Sequence, residues 1–473
     1  MMTKIGKSWI RNLALAGSVA MAGLIPAKAM ADNLSDALIG AYKTSGLLEQ
    51  NRALLRAADE DVAIALAALR PVINWTMRFQ TEYAHSNTNG LVTDTDQTSL
   101  FAGLTLQQLL WDNGGTKLAK QAQQETVLAT RQTLLSIEQQ VLLRAVAAYS
   151  SVLLQQENVA LRRNNLRLLR EELRAAQDRF EVGEVTRTDV ALAQSRVAAA
   201  QAELTDAQGA LIDAKSEYAN AVGHDPGVIA RQPSLPRRVA SVEKARSVAM
   251  QNHPDILSDQ HTVKAAELRV QSTARTLGPS VNLVGNLGYT ERYSGTDTDI
   301  DNASIAIEMT QPLYAGGRLA ANFRKSMAQR DATKAALITT QRDTAQGVNN
   351  AFVALEVARA NLQSSYERIR AARVAFDGVR EEATLGARTT LDVLQAEQEL
   401  LNAETAQIQA RAEEVVAAYQ LVAAQGLLTA ERLGLAVEIY DPTLYYNLVK
   451  DAPANYSHRS HQLNRVLKAL GKN

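Results

Sequence analysis

The stretch FEVGEVTRTDVALAQ, residues 180–194, comes back about 203 residues later as ATLGARTTLDVLQAE, residues 383–397. Gly183, Thr186, Asp189 and Val190 of the first fall on Gly386, Thr389, Asp392 and Val393 of the second. Both stretches lie between long runs of helical periodicity. A Gly that can close one helix, followed by a Thr-x-x-Asp that can open the next, makes a helix–turn–helix. The same turn twice, in register, points to a repeat architecture.

The repeat extends outward from these turns over most of the chain. LRPVINWTMRF (69–79) pairs with LGPSVNLVGNL (277–287), LLWDNGG (109–115) with PLYAGG (312–317), and Gly223 with Gly426. TDTD occurs at 93–96 and again at 296–299. Residues 32–223 and 242–426 are therefore read as two copies of one unit. Residues 224–241 are the linker and 427–473 a C-terminal segment with a basic, solvated tail (Lys450, Arg459, Arg465, Lys468, Lys472).

Within a unit the hydrophobic period changes twice. Leu55, Ala58, Val62, Ala65 and Leu69 form a 3-4-3-4 seam, repeated by Val263, Ala266, Val270, Thr273 and Leu277, and Pro71 or Pro279 stops that helix. Ile73, Trp75, Met77 and Phe79 then alternate with Asn74, Thr76, Arg78 and Gln80, which predicts a two-faced strand of about 10 residues. A polar loop carrying TDTD is expected next. A second alternating strand follows, at Leu100, Ala102, Leu104 and Leu106 or at Ile305, Ile307 and Met309. The hairpins have membrane-crossing length, and Trp75 and Trp111 read as interfacial belt residues. Gly114 and Gly115, like Gly316 and Gly317, make a strand-to-helix joint; no GK[ST] follows, so they cradle no phosphate.

A helix over roughly 116–182 would be about 100 Å long. The helix that returns from the turn carries Val190, Ala193, Val197, Ala200, Leu204, Ala207, Leu211, Ala214, Tyr218 and Ala221 on one seam, with Ala at every second place. The second copy repeats this at Ala396, Ala403, Ala410, Ala417 and Ala424. Small residues at that spacing let helices approach closely. A first helix of about 35 residues and a returning one of about 36 would together line the long one.

Composition narrows the function. Lys4, Lys7 and Arg11, then the apolar run Leu13–Ile25 and Ala29-Met30-Ala31, read as a secretory signal over residues 1–31. The chain has no cysteine, hence no disulfide, no thiolate metal site and no lipidated Cys. Its formal net charge of zero offers nothing to nucleic acid. The TDTD motifs lack the Gly and distal Glu of a calcium loop, and His253 reads as a helix-start residue rather than a metal ligand. No HExxH or GxSxG is present, so no enzyme, cofactor or metal site is expected. Four amphipathic strands cannot close a barrel, and lipid tolerates no open edge. Two, three or four chains would supply roughly 8, 12 or 16 strands, and periodicity does not choose among them.

With its duplicated strand-end motif (QQLLWDNGG, TQPLYAGG), its duplicated turn and its signal segment, the sequence resembles the TolC family of outer-membrane channel proteins. That resemblance implies an α+β membrane protein: a homotrimer whose twelve-stranded barrel, four strands per chain, continues into a twelve-helix α-barrel through the periplasm. It implies a passive exit duct for secreted proteins or small toxic compounds. The implied partners are a periplasmic adaptor, an inner-membrane ABC or proton-driven transporter, and outer-membrane lipid.

The repeated turns would be the periplasmic tips. Val182, Gly183, Glu184 and Thr186, with Leu385, Gly386, Ala387 and Thr389, would form the adaptor-docking turns. By resemblance Asp392 is the carboxylate of the pore constriction and Arg388 a gating partner, with Thr188 and Asp189 as counterparts in the first copy. The chain departs from the family pattern at Gln395, where a second aspartate ring is common, and at Ala383, where a gating tyrosine is usual. The competing reading is a soluble periplasmic coiled-coil adaptor or scaffold. It fits the long helices but not the alternating hairpins.

Overall fold

The computed structural model describes residues 32–229, 233–293, 298–451 and 457–469. The expected signal segment, Thr296 and Asp297 of the second TDTD, and Lys472 lie outside them.

The elements come in two equal sets. The first is α1 (Leu34–Thr44), α2 (Gly46–Ala67), β1 (Val72–Thr88), β2 (Leu91–Trp111), α3 (Gly115–Glu181) and α4 (Arg187–Val222). The second is α5 (Val242–Asn252), α6 (Pro254–Arg275), β3 (Ser280–Arg292), β4 (Thr298–Thr310), α7 (Arg318–Thr384) and α8 (Thr390–Ala424). Helices α3 and α7 each have 67 residues, about 100 Å of helix. None of the described helices is long and apolar enough to cross a membrane.

The expected first helix of each unit is two helices. Ser45 caps α2 by accepting from the Leu48 N–H, and His253 Nδ1 caps α6 by accepting from the Asp255 N–H, with Pro254 opening that helix. A glycine seats each joint against the end of the returning helix. Gly223 (φ +92°) passes so close to Thr44 that a Cβ would stand 2.4 Å from its Oγ1. Gly426 (φ +76°) does the same to His253, at 2.7 Å from its Cα. Only glycine supplies both the positive φ and the room.

The four strands form one antiparallel sheet in the order β1-β2-β3-β4, so β1 and β4 are its edges. Its register sorts side chains into rows. Ile73, Leu106, Gly285 and Ile305 are paired neighbours on one face, and so are Trp75, Leu104, Leu287 and Ala303. The rows between them are polar: Asn74, Thr105, Asn286 and Ser304. The apolar face is left open, with Ile305 75% exposed in the single chain. That is the pattern of a sheet with lipid outside and water inside.

The strands are longer than the expected 10 residues: 17 and 21 in the first hairpin, 13 and 13 in the second. TDTD at 93–96 is not in a loop. Asn89 and Gly90, both at positive φ, make the turn, and Thr93–Asp96 pair with Tyr83–Ser86 inside β2. Thr298 and Asp299 likewise lie in β4. Trp111 pairs with Val281 at the helix-proximal end of the sheet, and Trp75 pairs with Leu104 farther along it, with apolar Ile73 and Met77 on either side on the same face.

The helices are held by thin alanine-rich seams. Ala193, Ala200, Ala207, Ala214 and Ala221 are buried along α4, and Ala403, Ala410 and Ala417 along α8. The thickest core lies midway along α3, where Leu142, Val146, Tyr149 and Val152 meet Leu38, Leu55, Tyr218 and Leu428. Glu138 is buried there and accepts a 2.6 Å hydrogen bond from the Ala430 N–H, which ties down the C-terminal segment. The basic tail is not simply extended. Residues after Gly426 climb through α9 (Pro442–Val449), and His458–Ala469 form α10, whose Arg459 pairs with Asp451.

Candidate functional site

The two helical hairpins end in turns of the same construction. Val182 and Leu385 cap α3 and α7, Gly183 (φ +81°) and Gly386 (φ +77°) follow, and Thr186 and Thr389 open α4 and α8. The Glu184 N–H donates to Arg179 O and the Ala387 N–H to Glu382 O, each at 2.9 Å. This six-to-one bond closes a helix on a left-handed glycine.

Reciprocal capping then starts the return. Asp189 Oδ2 accepts from the Thr186 N–H (2.9 Å) and hydroxyl (2.7 Å), while the Asp189 N–H donates to Thr186 Oγ1. Asp392 repeats the arrangement with Thr389 at 3.0 and 2.9 Å. The Thr186 hydroxyl and N–H hold the Asp189 carboxyl below the usual carboxylate range, and the Thr389 N–H and hydroxyl do the same for Asp392. Two carboxylates thus stay ionised at the tips, fixed against the first turn of a helix, where negative charge is favoured.

Arg388 is not held mainly by Asp392. Its Nε donates to Glu382 Oε2 at 2.7 Å across the turn, and that bond is the main cause that raises its pKa, with Asp392 adding attraction. The capping register also sets Arg388 opposite Val185 and Thr188 opposite Leu391, so Thr188 is not the first-copy match of Arg388. Thr188 and Gln395 are exposed on their helices. Both tips present an apolar side chain to solvent: Val182 is 71% exposed and Leu385 83%. Between the hairpins, just behind the tips, lies a cavity of about 140 Å³ whose walls include Ala383, Arg179, Arg380 and Glu172.

At the other end of the long helices, Gly114 (φ +82°) caps α3 and Gly317 (φ +80°) caps α7. Asp112 braces the first joint, accepting from the Gly114 N–H at 3.0 Å and from both the Thr116 N–H and hydroxyl at 2.6 Å. Neither Asp112 nor Glu382 was singled out by the sequence patterns. Each becomes visible only once the turn places it opposite its partner.

Two hairpins of strands, each leading into a 100 Å helix and a capped tip, recur in a known family. The profile described as "Outer membrane efflux protein" matches residues 41–224 and again 245–427. The chain belongs to this family. It is 36% identical over 425 residues to the outer membrane efflux protein BepC of Brucella suis, covering 89% of this chain and 91% of BepC. It is 24% identical over 392 residues to the proteases secretion protein PrtF of Dickeya chrysanthemi, covering 77% and 84%. Its fold superimposes on the Campylobacter jejuni CmeC outer membrane channel with a TM-score of 0.73 at 17% identity, over 90% of each chain.

As an outer membrane efflux protein, the chain is an exit duct in the outer membrane, with its sheet in lipid and its helices beneath. The 140 Å³ void beside Ala383 lies at the position where the resemblance had set a tyrosine.

Proposed function

We propose that three copies of this chain close their sheets edge to edge, β1 of one on β4 of the next, into a twelve-stranded barrel above a tunnel of twelve helices. The observation that carries this is the sheet itself. Among the described residues its two edges are unpaired, and its apolar rows lie open on one face, a combination that lipid accepts only in a closed barrel. Four strands are too few to close alone, and the paired tips then surround the tunnel mouth with six turns.

At that mouth Asp392, with Asp189, serves as a ring of carboxylates facing the pore, and Arg388 is locked to Glu382 until the mouth moves. The exposed Val182 and Leu385 are the contacts offered to a periplasmic adaptor, which joins the duct to an inner-membrane transporter. The extended match to BepC, an efflux protein by name, favours efflux over protein secretion. The weaker match to PrtF supports a second reading, secretion of proteases.

The test is to purify the full-length protein in detergent, weigh the oligomer by light scattering, and insert it into planar bilayers. A trimer with ion conductance is expected. Asp392→Ala is expected to raise conductance and weaken block by multivalent cations; an unchanged channel would leave Asp392 a helix cap only. A deletion strain then assigns the cargo, through drug susceptibility on one side and the secreted proteome on the other.

A further inference from the structure

We infer that Glu397 clasps the second helical hairpin onto the first and so positions the tip. This rests on the reading of the tips as the gate. Glu397 lies on α8, facing inward between Leu394 and Leu401, and is only 4% exposed. It reaches across to α3 of the other hairpin, where Asn165 Nδ2 donates to Glu397 Oε1 at 2.8 Å. Its second oxygen, Oε2, is buried with no hydrogen-bond partner among the described residues. A buried ionised carboxylate with a bare oxygen is costly, whereas the neutral acid is far less so.

The charged groups around it come from three helices: Glu172 of α3, Arg380 of α7 and Arg196 of α4. Arg380 is already engaged with Glu172, 3.6 Å away across the two hairpins. Burial, reinforced by the repulsion of Glu172 and opposed by Arg380 and Arg196, pushes the Glu397 carboxyl up to about 7. The 140 Å³ void between the hairpins borders the same Glu172 and Arg380, so this part of the interface is not filled by packing.

Drawing α8 away from α3 exposes Glu397 to water and returns its carboxyl to the ordinary glutamate range. The packed tip therefore holds a proton that the separated tip releases. The packed state is favoured in full below the ordinary range and loses that advantage as pH rises to about 7. Between those limits the balance moves toward separation by up to about tenfold per pH unit, and it levels off above.

The chain has no cysteine, so Glu184→Cys and Ala387→Cys place one spin label on each tip of the full-length protein. Distances between the tips are then measured by pulsed EPR from pH 5 to 8, alongside conductance in bilayers. The parent is expected to shift toward longer distances as pH rises. Glu397→Gln, which keeps the shape and a polar partner for Asn165, is expected to stay in the short-distance state throughout. Glu172→Gln, which removes the repelling neighbour, is expected to move the transition to lower pH. Identical pH responses in the parent and Glu397→Gln, or none in the parent, would overturn the clasp. Distances that shift as described while conductance stays constant would support the clasp and refute the tip as gate.

Discussion

The two faces of the sheet make opposite demands on the same substitution, which gives a test confined to neighbouring residues. Ile305 and Ser304 are adjacent in β4, a strand of 13 residues. At about 3.3 Å per residue and a tilt near 45°, the strand covers roughly 30 Å of membrane, and both residues fall near its middle. Ile305 shares its row with Gly285, Leu106 and Ile73, and Ser304 shares its row with Asn286, Thr105 and Asn74. Ile305→Arg puts a charge into hydrocarbon at a cost of roughly 2–4 kcal/mol per chain, and roughly 6–12 kcal/mol for three copies in one barrel. That is comparable to the whole stability of an ordinary domain. Ser304→Arg puts the same side chain into the water-filled lumen, at little cost to assembly but with a change in ion selectivity. Outer-membrane fractions run without boiling report the assembled oligomer. The expected result is loss of the oligomer band for Ile305→Arg and retention for Ser304→Arg. Equal amounts of both, or the reverse order, would refute the assignment of faces.

Two further substitutions probe the middle of the molecule. Gly223→Ala brings a Cβ to 2.4 Å from Thr44 Oγ1 at φ +92°, and should cost about 1–3 kcal/mol, read as a lower thermal midpoint with near-normal conductance once folded. Glu138→Ala leaves the Ala430 N–H buried without its acceptor, a loss of about 1–3 kcal/mol that should show first as faster proteolysis of the segment after Thr429.

The features legible in sequence were those that a uniform environment imposes along an element. Lipid on one side and water on the other produce the alternation from Ile73 to Phe79, and close helix approach selects Ala193 through Ala221 at every seventh place. The tips were legible because left-handed glycines and Thr-x-x-Asp caps are local chemistry. Features depending on distant partners were not. Asn89-Gly90 sets the turn of the first hairpin, and once it does so the polar Thr93–Asp96 must pair with Tyr83–Ser86, although its composition reads as loop. The break at Ser45-Gly46 lies outside the Leu55–Leu69 seam and has no Pro beside it, so one helix of about 35 residues is expected where two form. Arg388 stands out in the repeated turn, but its partner Glu382 lies six residues back and meets it only because Gly386 turns the chain. Glu397 reads as one more glutamate in an acidic helix until α3 covers it.

The first strand hairpin overshoots the second. β1 and β2 remain paired out to Thr88 and Leu91, whereas β3 leaves β2 at Arg292 opposite Ser99. The excess is about eight residues per strand, roughly 26 Å at 3.3 Å per residue. It points away from the helices, hence out of the cell, and the Asn89-Gly90 turn stands at its end. An antibody approaching an intact bacterium would meet this projection before the described strands of the second hairpin. A short peptide tag spliced in at the turn would therefore report, on living cells and without breaking them open, how many ducts have reached the surface.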